Sequence, residues 1–138
     1  MKNNFPAGVV LFVSLHVSVA GVNNASAQTI ESSKVQSIAI YKSGSQSFGN
    51  LPPGNVNFDV TQPSLIDSLI SAIDFSVPRD ASDLLSLPTA FVYIKFKDNS
   101  VGVYELFDVW AHICKRRSPG RSYYVSQKGR KCFEAHAQ

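Results

Sequence analysis

The sequence predicts a small α+β domain, in which an antiparallel sheet of about four or five strands carries one main helix on one face. Three patterns support this class: short runs of alternating apolar residues, one segment with apolar residues at helical spacing, and an Asp98–Asn99 turn pair between two strand-like runs. Residues 28–138 number 111, a common size for one domain and enough to bury a core.

The first 27 residues have the pattern of a secretory signal peptide. Lys2 is followed by an uncharged, mainly apolar run from 5 to 22, and small residues occupy the cleavage positions in Ala25–Ala27. Polar side chains interrupt the run, and its best apolar part is shorter than the roughly 20 residues that span a bilayer. We therefore expect cleavage near Ala27, a single domain over 28–138 in the periplasm or outside the cell, and no transmembrane segment in the mature chain.

The first half of the domain is predicted to contain two strands and the helix. Val35–Lys42 alternates as a strand, 43–55 has a loop composition, and 55–61 alternates as a half-buried strand. A helix is expected over about 63–73, with Pro63 in the first turn, where its missing N–H costs nothing. Its apolar stripe consists of Leu65, Ile66, Leu69, Ile70 and Ile73, which we expect to be core. A connector follows over 78–88, with one helical turn at 82–86.

The architectural centre is a predicted hairpin over 91–107, closed by a two-residue turn. Pairing Phe96 with Val101 places Val92, Ile94, Val101 and Val103 on one face. Glu105 falls on that apolar face. A carboxylate there lies beyond the end of the core, or pairs with a nearby Lys or Arg, or has a pKa raised for a functional role. A further short strand is expected over 122–126.

Cys114 and Cys132, the only cysteines, are predicted to form a disulfide, because exported domains lie in an oxidising compartment. Closing that loop of 19 residues would stabilise the fold by about 3 kcal/mol. A zinc site with His112 and His136 is the alternative, but the ligand spacing is not that of zinc motifs. We expect no metal and no cofactor.

Charge is distributed unevenly along the domain. Residues 28–110 contain five basic and nine acidic residues, whereas 111–138 contain seven basic and one acidic. Arginine and tyrosine are enriched at binding hot spots, so the leading hypothesis is a binding or inhibitor-like protein that recognises an acidic protein or an anionic envelope surface. The candidate contacts are Arg116, Arg117, Arg121, Tyr123, Tyr124, Lys128, Arg130 and Lys131. The alternative for this segment is a solvated edge hairpin whose charges prevent aggregation.

A catalytic function is less favoured, since the sequence has no serine-hydrolase, zinc-protease or phosphate-loop motif. The alternative hypothesis is a small secreted hydrolase, most plausibly a nuclease. Glu105, His112, Arg130 and His136 would then supply the acid, the base and the cation. Nucleic acid is thus a partner only under this alternative.

Overall fold

The structure is a computed structural model that describes residues 29–44, 51–80, 87–116 and 121–138. The predicted signal peptide and the predicted turn at 82–86 lie outside these ranges. The elements are, in chain order, β1 (Val35–Lys42), α1 (Pro63–Ser71), β2 (Ile73–Asp80), β3 (Ala90–Phe96), β4 (Val101–Phe107), β5 (His112–Lys115), β6 (Arg121–Val125) and α2 (Gln127–Ala135), with short 3-10 helices at Ser32–Lys34 and Pro53–Asn55.

The strands form one antiparallel sheet in the order β1-β3-β4-β5-β6-β2. The α+β class and the antiparallel sheet are confirmed. Within the described ranges the sheet has six strands in place of four or five, and two α-helices are present in place of one main helix. We call the sheet end that holds the β3–β4 turn, residues 97–99, the upper end. The opposite end, which holds the β4–β5 turn at 108–111, is the lower end.

The central hairpin forms, but its register differs from the prediction by one residue. Its loop has three residues, 97–99, because the Phe96 N–H donates to the Ser100 carbonyl at 2.9 Å and Asn99 takes the left-handed φ of 69°. Val101 therefore pairs with Lys95. A one-residue slip moves every β4 side chain to the other face. Glu105 consequently lies on the face opposite the helices.

The core lies between the sheet and the two helices, on what we call the helix face. Four residues of the predicted stripe are buried there, with Leu69 fully enclosed, and the fifth, Leu65, is partly buried. The helix ends at Ser71, since Ile73 already begins β2. The sheet contributes alternate residues to the same core, among them Val92, Leu106 and Ile113.

Helix α2 lies in the segment that the sequence predicts as a basic, disulfide-tied stretch. Ser126 caps its N-terminus by accepting the Gly129 N–H at 3.1 Å. Phe133 points into the core and is 1% exposed. The helix therefore packs on the helix face beside α1, with Lys128 and Lys131 exposed and Arg130 half-buried.

Gly129 allows the two helices to approach closely. A Cβ at this position would overlap the Ala72 Cβ, so we expect Gly129→Ala to lower the free energy of unfolding by about 1–3 kcal/mol. This loss should occur although alanine is the better helix former by about 1 kcal/mol. Urea unfolding measures it. Gly54→Ala is the matched control, since a Cβ there meets nothing within 4 Å; equal effects in both variants would contradict the close helix contact.

The predicted strand over 55–61 is wrong. In this segment only Val60 pairs, through two backbone hydrogen bonds of 2.9 and 3.0 Å with Ile38. Val56 and Phe58 pack instead against Tyr93 and its neighbours on the opposite face of the sheet, while Val60 belongs to the core on the helix face. The alternation thus reflects a segment that wraps around the edge of β1.

The predicted disulfide is also wrong, since both cysteines are free. Cys114 follows Ile113 on β5, and because Ile113 points to the helix face, Cys114 points to the opposite face. Cys132 lies on α2 and packs against the core on the helix face. The sheet separates the two thiols, whereas a disulfide needs Cβ atoms that face each other about 4 Å apart.

Candidate binding surface

The basic residues predicted as one patch form two groups. Arg116 and Arg121 lie at the upper end, where β5 ends and β6 begins. The second group, Lys128, Arg130 and Lys131, lies on α2, which begins at the lower end. Strand β6 separates the groups by roughly 15 Å, at about 3.3 Å per residue. Arg117 lies outside the described residues.

The two tyrosines of β6 point to opposite faces of the sheet. Tyr123 is 8% exposed and packs in the core, with its ring centroid 5.1 Å from that of Phe75. Tyr124 is 41% exposed. Of this pair, Tyr124 alone presents its side chain for contact with a partner.

Arg130 holds Tyr124 in place. Its Nη2 donates to the Tyr124 hydroxyl at 2.7 Å, and its Cζ lies 5.0 Å from the ring centroid. Its Nε donates to the Val125 carbonyl at 3.1 Å. Three contacts therefore fix the guanidinium and the phenol together, which lowers the entropy lost when a partner binds.

Lys128 and Lys131 belong to the same helix as Arg130. They are three residues apart on the helix and both are exposed. Lys128 also lines a groove of about 370 Å³ between the two helices, whose other polar lining includes Ser68 and Ser71. Both hydroxyls donate to carbonyls of their own helix, so the Lys128 ammonium is the group of this lining that can attract an anion.

His112 adjoins Tyr124 on the face opposite the helices. The two rings are edge to face with centroids 5.9 Å apart, and His112 Nε2 lies 3.8 Å from Asp108 Oδ2. Its Nδ1 is buried and has no hydrogen-bond partner among the described residues. His112 thus packs edge to face against the Tyr124 ring, with the Asp108 carboxylate nearby.

Glu105 forms an ion pair with Arg116, which is one of the three outcomes that the sequence allows. Its Oε1 lies 3.6 Å from Arg116 Nε, and both side chains are about a fifth exposed. Burial raises the pKa of Glu105, and the nearby Arg116 charge only partly opposes this. Burial, and then the Glu105 charge directly across the strand pair, raises the pKa of Cys114, which disfavours the nucleophilic thiolate form.

The raised pKa of Glu105 makes stability depend on pH. Because the folded state binds this proton more tightly than the unfolded state does, the stabilising contribution is present below the ordinary carboxyl pKa. It is lost as the pH rises through the folded-state pKa. We expect the wild type to lose stability relative to Glu105→Gln between acidic and neutral pH, as measured by urea unfolding. The exposed Glu31→Gln is the control; the same trend in both variants would contradict the burial of Glu105.

The four residues of the nuclease hypothesis are not brought together. Glu105 and His112 share one face, on neighbouring strands, and Arg130 reaches that side through Tyr124. His136 follows α2 on the helix face, where its Nδ1 contacts the Cys132 carbonyl at 2.9 Å. Nor does the described part of the chain contain a group of three or more His, Cys, Asp or Glu side chains arranged to hold a metal ion.

Sequence reasoning did not single out Asp108, which contacts His112 from the turn between β4 and β5. Its signal in the sequence was weak, because the turn has no glycine and Asp108 belongs to no motif with a known residue spacing.

Within the described ranges, no helix is long and apolar enough to cross a membrane. No protein-family model matches the chain, and no match was found among curated proteins or solved structures.

Proposed function

We propose that the protein is an exported binding protein that recognises an anionic partner, an acidic protein or an anionic envelope surface. The proposed contact surface, which we call the basic surface, consists of Tyr124, Lys128, Arg130 and Lys131. The observation that carries this proposal is the exposed Tyr124 held by Arg130, which belongs to the same helix as two exposed lysines. A rigid aromatic with planar and point cations around it is the composition of a binding hot spot.

The charge separation along the chain supports the same proposal. Residues 111–138 have a net charge of +6, against −4 for 28–110. A field of this kind steers an anionic partner toward the basic end and is screened within about 8 Å at physiological salt. Arg116 and Arg121 lie at the upper end, so we assign them to steering and not to the contact itself.

Export rests on the N-terminal sequence pattern, which precedes the described residues. The binding experiments therefore use protein recovered from the exported fraction, whose intact mass should correspond to a chain that begins at Gln28. A mass that includes residues 1–27 in all of the exported protein would contradict signal cleavage.

Replacing Lys128 and Lys131 together by serine is expected to weaken binding to an anionic probe. The probes are polyglutamate and phosphatidylglycerol vesicles, and affinity is measured over a salt series. We expect about a five- to twentyfold loss at low salt and a smaller salt dependence, because two charges leave the contact. Stability should change little, since both side chains are exposed.

The matched control replaces Lys34 and Lys97 by serine, which removes the same charge from exposed positions near the upper end. This control should bind nearly as well as the wild type. Arg130→Lys refines the test, because it keeps the charge but loses the planar contacts with Tyr124. Equal losses in both double variants would show that net charge alone drives binding, and binding indifferent to salt would contradict the proposal.

A further inference from the structure

The lower end of the sheet exposes two aliphatic side chains. Leu87, three residues before β3, is 86% exposed, and Val109, in the β4–β5 turn, is 75% exposed. Exposed aliphatic residues are common singly, so they need a second observation before they indicate a contact. The backbone of the turn provides it.

The β4–β5 turn is left-handed over three consecutive residues that are not glycine. Asp108, Val109 and Trp110 have φ values of 50°, 54° and 74°. This conformation is unfavourable for L-residues, and for a β-branched valine it is an outlier. Trp110 is buried in the core, while Val109 points to solvent. Asparagine or glycine would hold the same turn with less strain, so the chain retains an exposed apolar group at an energetic cost, as functional sites do.

Backbone hydrogen bonds place both aliphatic residues close to the basic surface. The Val125 N–H donates to the Ala111 carbonyl at 2.8 Å, and the Val125 carbonyl accepts from Arg130 Nε at 3.1 Å. Arg130 is therefore joined to the turn that carries Val109. Leu87 reaches the same end, because the N–H of Thr89 donates to the Leu106 carbonyl, next to the turn.

The charges at this end are mixed among the described residues, with a small excess of positive charge. The bases are Lys42, at the end of β1, and Lys128, Arg130 and Lys131 on α2; the acids are Asp74, Asp108 and, also on α2, Glu134. Protruding aliphatic side chains flanked by lysines and arginine, with a half-exposed tyrosine at the boundary, match the chemistry of an anionic lipid surface. The apolar tips enter the acyl region, the tyrosine sits at the interface, and the cations remain at the headgroups.

We propose that the anionic partner of the basic surface is the surface of a lipid bilayer, and that Leu87 and Val109 insert into it while Lys128, Arg130 and Lys131 contact the headgroups. This inference rests on the proposed function and adds the identity of the partner. It also explains why the strained turn carries valine. Binding is peripheral and combines a salt-sensitive electrostatic part with a salt-resistant apolar part.

Flotation with vesicles tests the inference. Vesicles of phosphatidylcholine with an equal share of phosphatidylglycerol are compared with pure phosphatidylcholine and with polyglutamate. Leu87→Ser and Val109→Asn should each reduce partitioning to the anionic vesicles by about tenfold, the effect of losing one partly buried aliphatic side chain. Neither should alter the affinity for polyglutamate. Val77→Ser is the control, because Val77 is 57% exposed but lies on the edge strand β2.

Val109→Asn should also raise the melting temperature, since asparagine accepts the left-handed conformation. A loss of vesicle binding by a more stable variant excludes misfolding as its cause. Leu87→Trp supplies a depth probe, whose emission should shift to the blue only with anionic vesicles. Two results would overturn the lipid inference and leave the proposed function intact. The first is salt-sensitive vesicle binding that is unchanged by the substitutions at Leu87 and Val109, and the second is binding to polyglutamate but not to vesicles. Binding to neither anionic probe overturns both.

Discussion

Phe133→Ala is expected to lower the free energy of unfolding by about 3–5 kcal/mol, the usual cost of removing a buried aromatic side chain. Phe133 is 1% exposed and anchors α2 to the sheet. Because Lys128, Arg130 and Lys131 belong to this helix, the variant should also lose affinity for anionic probes. Urea unfolding followed by circular dichroism gives the stability.

Glu134→Ala is the control for Phe133→Ala, one residue away on the exposed side of the same helix. It should change the free energy of unfolding by no more than about 0.5 kcal/mol. A Phe133→Ala protein as stable as the wild type would mean that α2 does not dock on the sheet, and the basic surface would then lose its support.

Leu69→Ala should lower the free energy of unfolding by about 2–5 kcal/mol. Leu69 is fully buried between α1 and the sheet, so truncation leaves a cavity in the core. The neighbouring Ser68 is exposed and its hydroxyl donates to the Ser64 carbonyl of the same helix, so Ser68→Ala should be nearly neutral. An unchanged melting temperature for Leu69→Ala would place the stripe of α1 at the surface and make it a partner-binding candidate.

The elements with strong periodicity were predictable from the sequence. Strand β1 has the predicted bounds, and α1 differs only at its C-terminus, where β2 begins earlier than the apolar stripe suggests. The hairpin was predictable as an element but its register was not, because Asn99 allows a three-residue loop as well as a two-residue turn. That single residue decides which face carries Glu105.

Helix α2 and strand β2 could not be identified from local pattern alone. The inward positions of α2 include Gly129, a poor helix former, and Phe133 is its one large apolar residue. Packing against Ala72 and the sheet stabilises the helix, and the sequence does not show that contact. Strand β2 is interrupted between Asp74 and Arg79, where it contains Pro78, which normally argues against a strand.

The cysteines and the tyrosines show what a sequence leaves open at a site. Alternation along β6 predicts that Tyr123 and Tyr124 face opposite ways, and a solvated hairpin would turn Tyr123 and Val125 into the core, as the structure has them; the alternation alone does not decide between this and a contact surface that uses both tyrosines. In the same way, the count of two cysteines favours a bond, whereas the positions of Cys114 and Cys132 on opposite sides of the sheet prevent it.

The most direct test of the basic surface is a residue-by-residue map of the contact. Amide chemical shifts of the labelled protein are followed by NMR during titration with polyglutamate or with small phosphatidylglycerol bicelles. We expect the largest shifts at Tyr124, Lys128 and Lys131, joined with bicelles by the turn at Val109. Shifts that cluster instead around Arg121 at the upper end, with α2 unaffected, would contradict the assignment of the basic surface to β6 and α2.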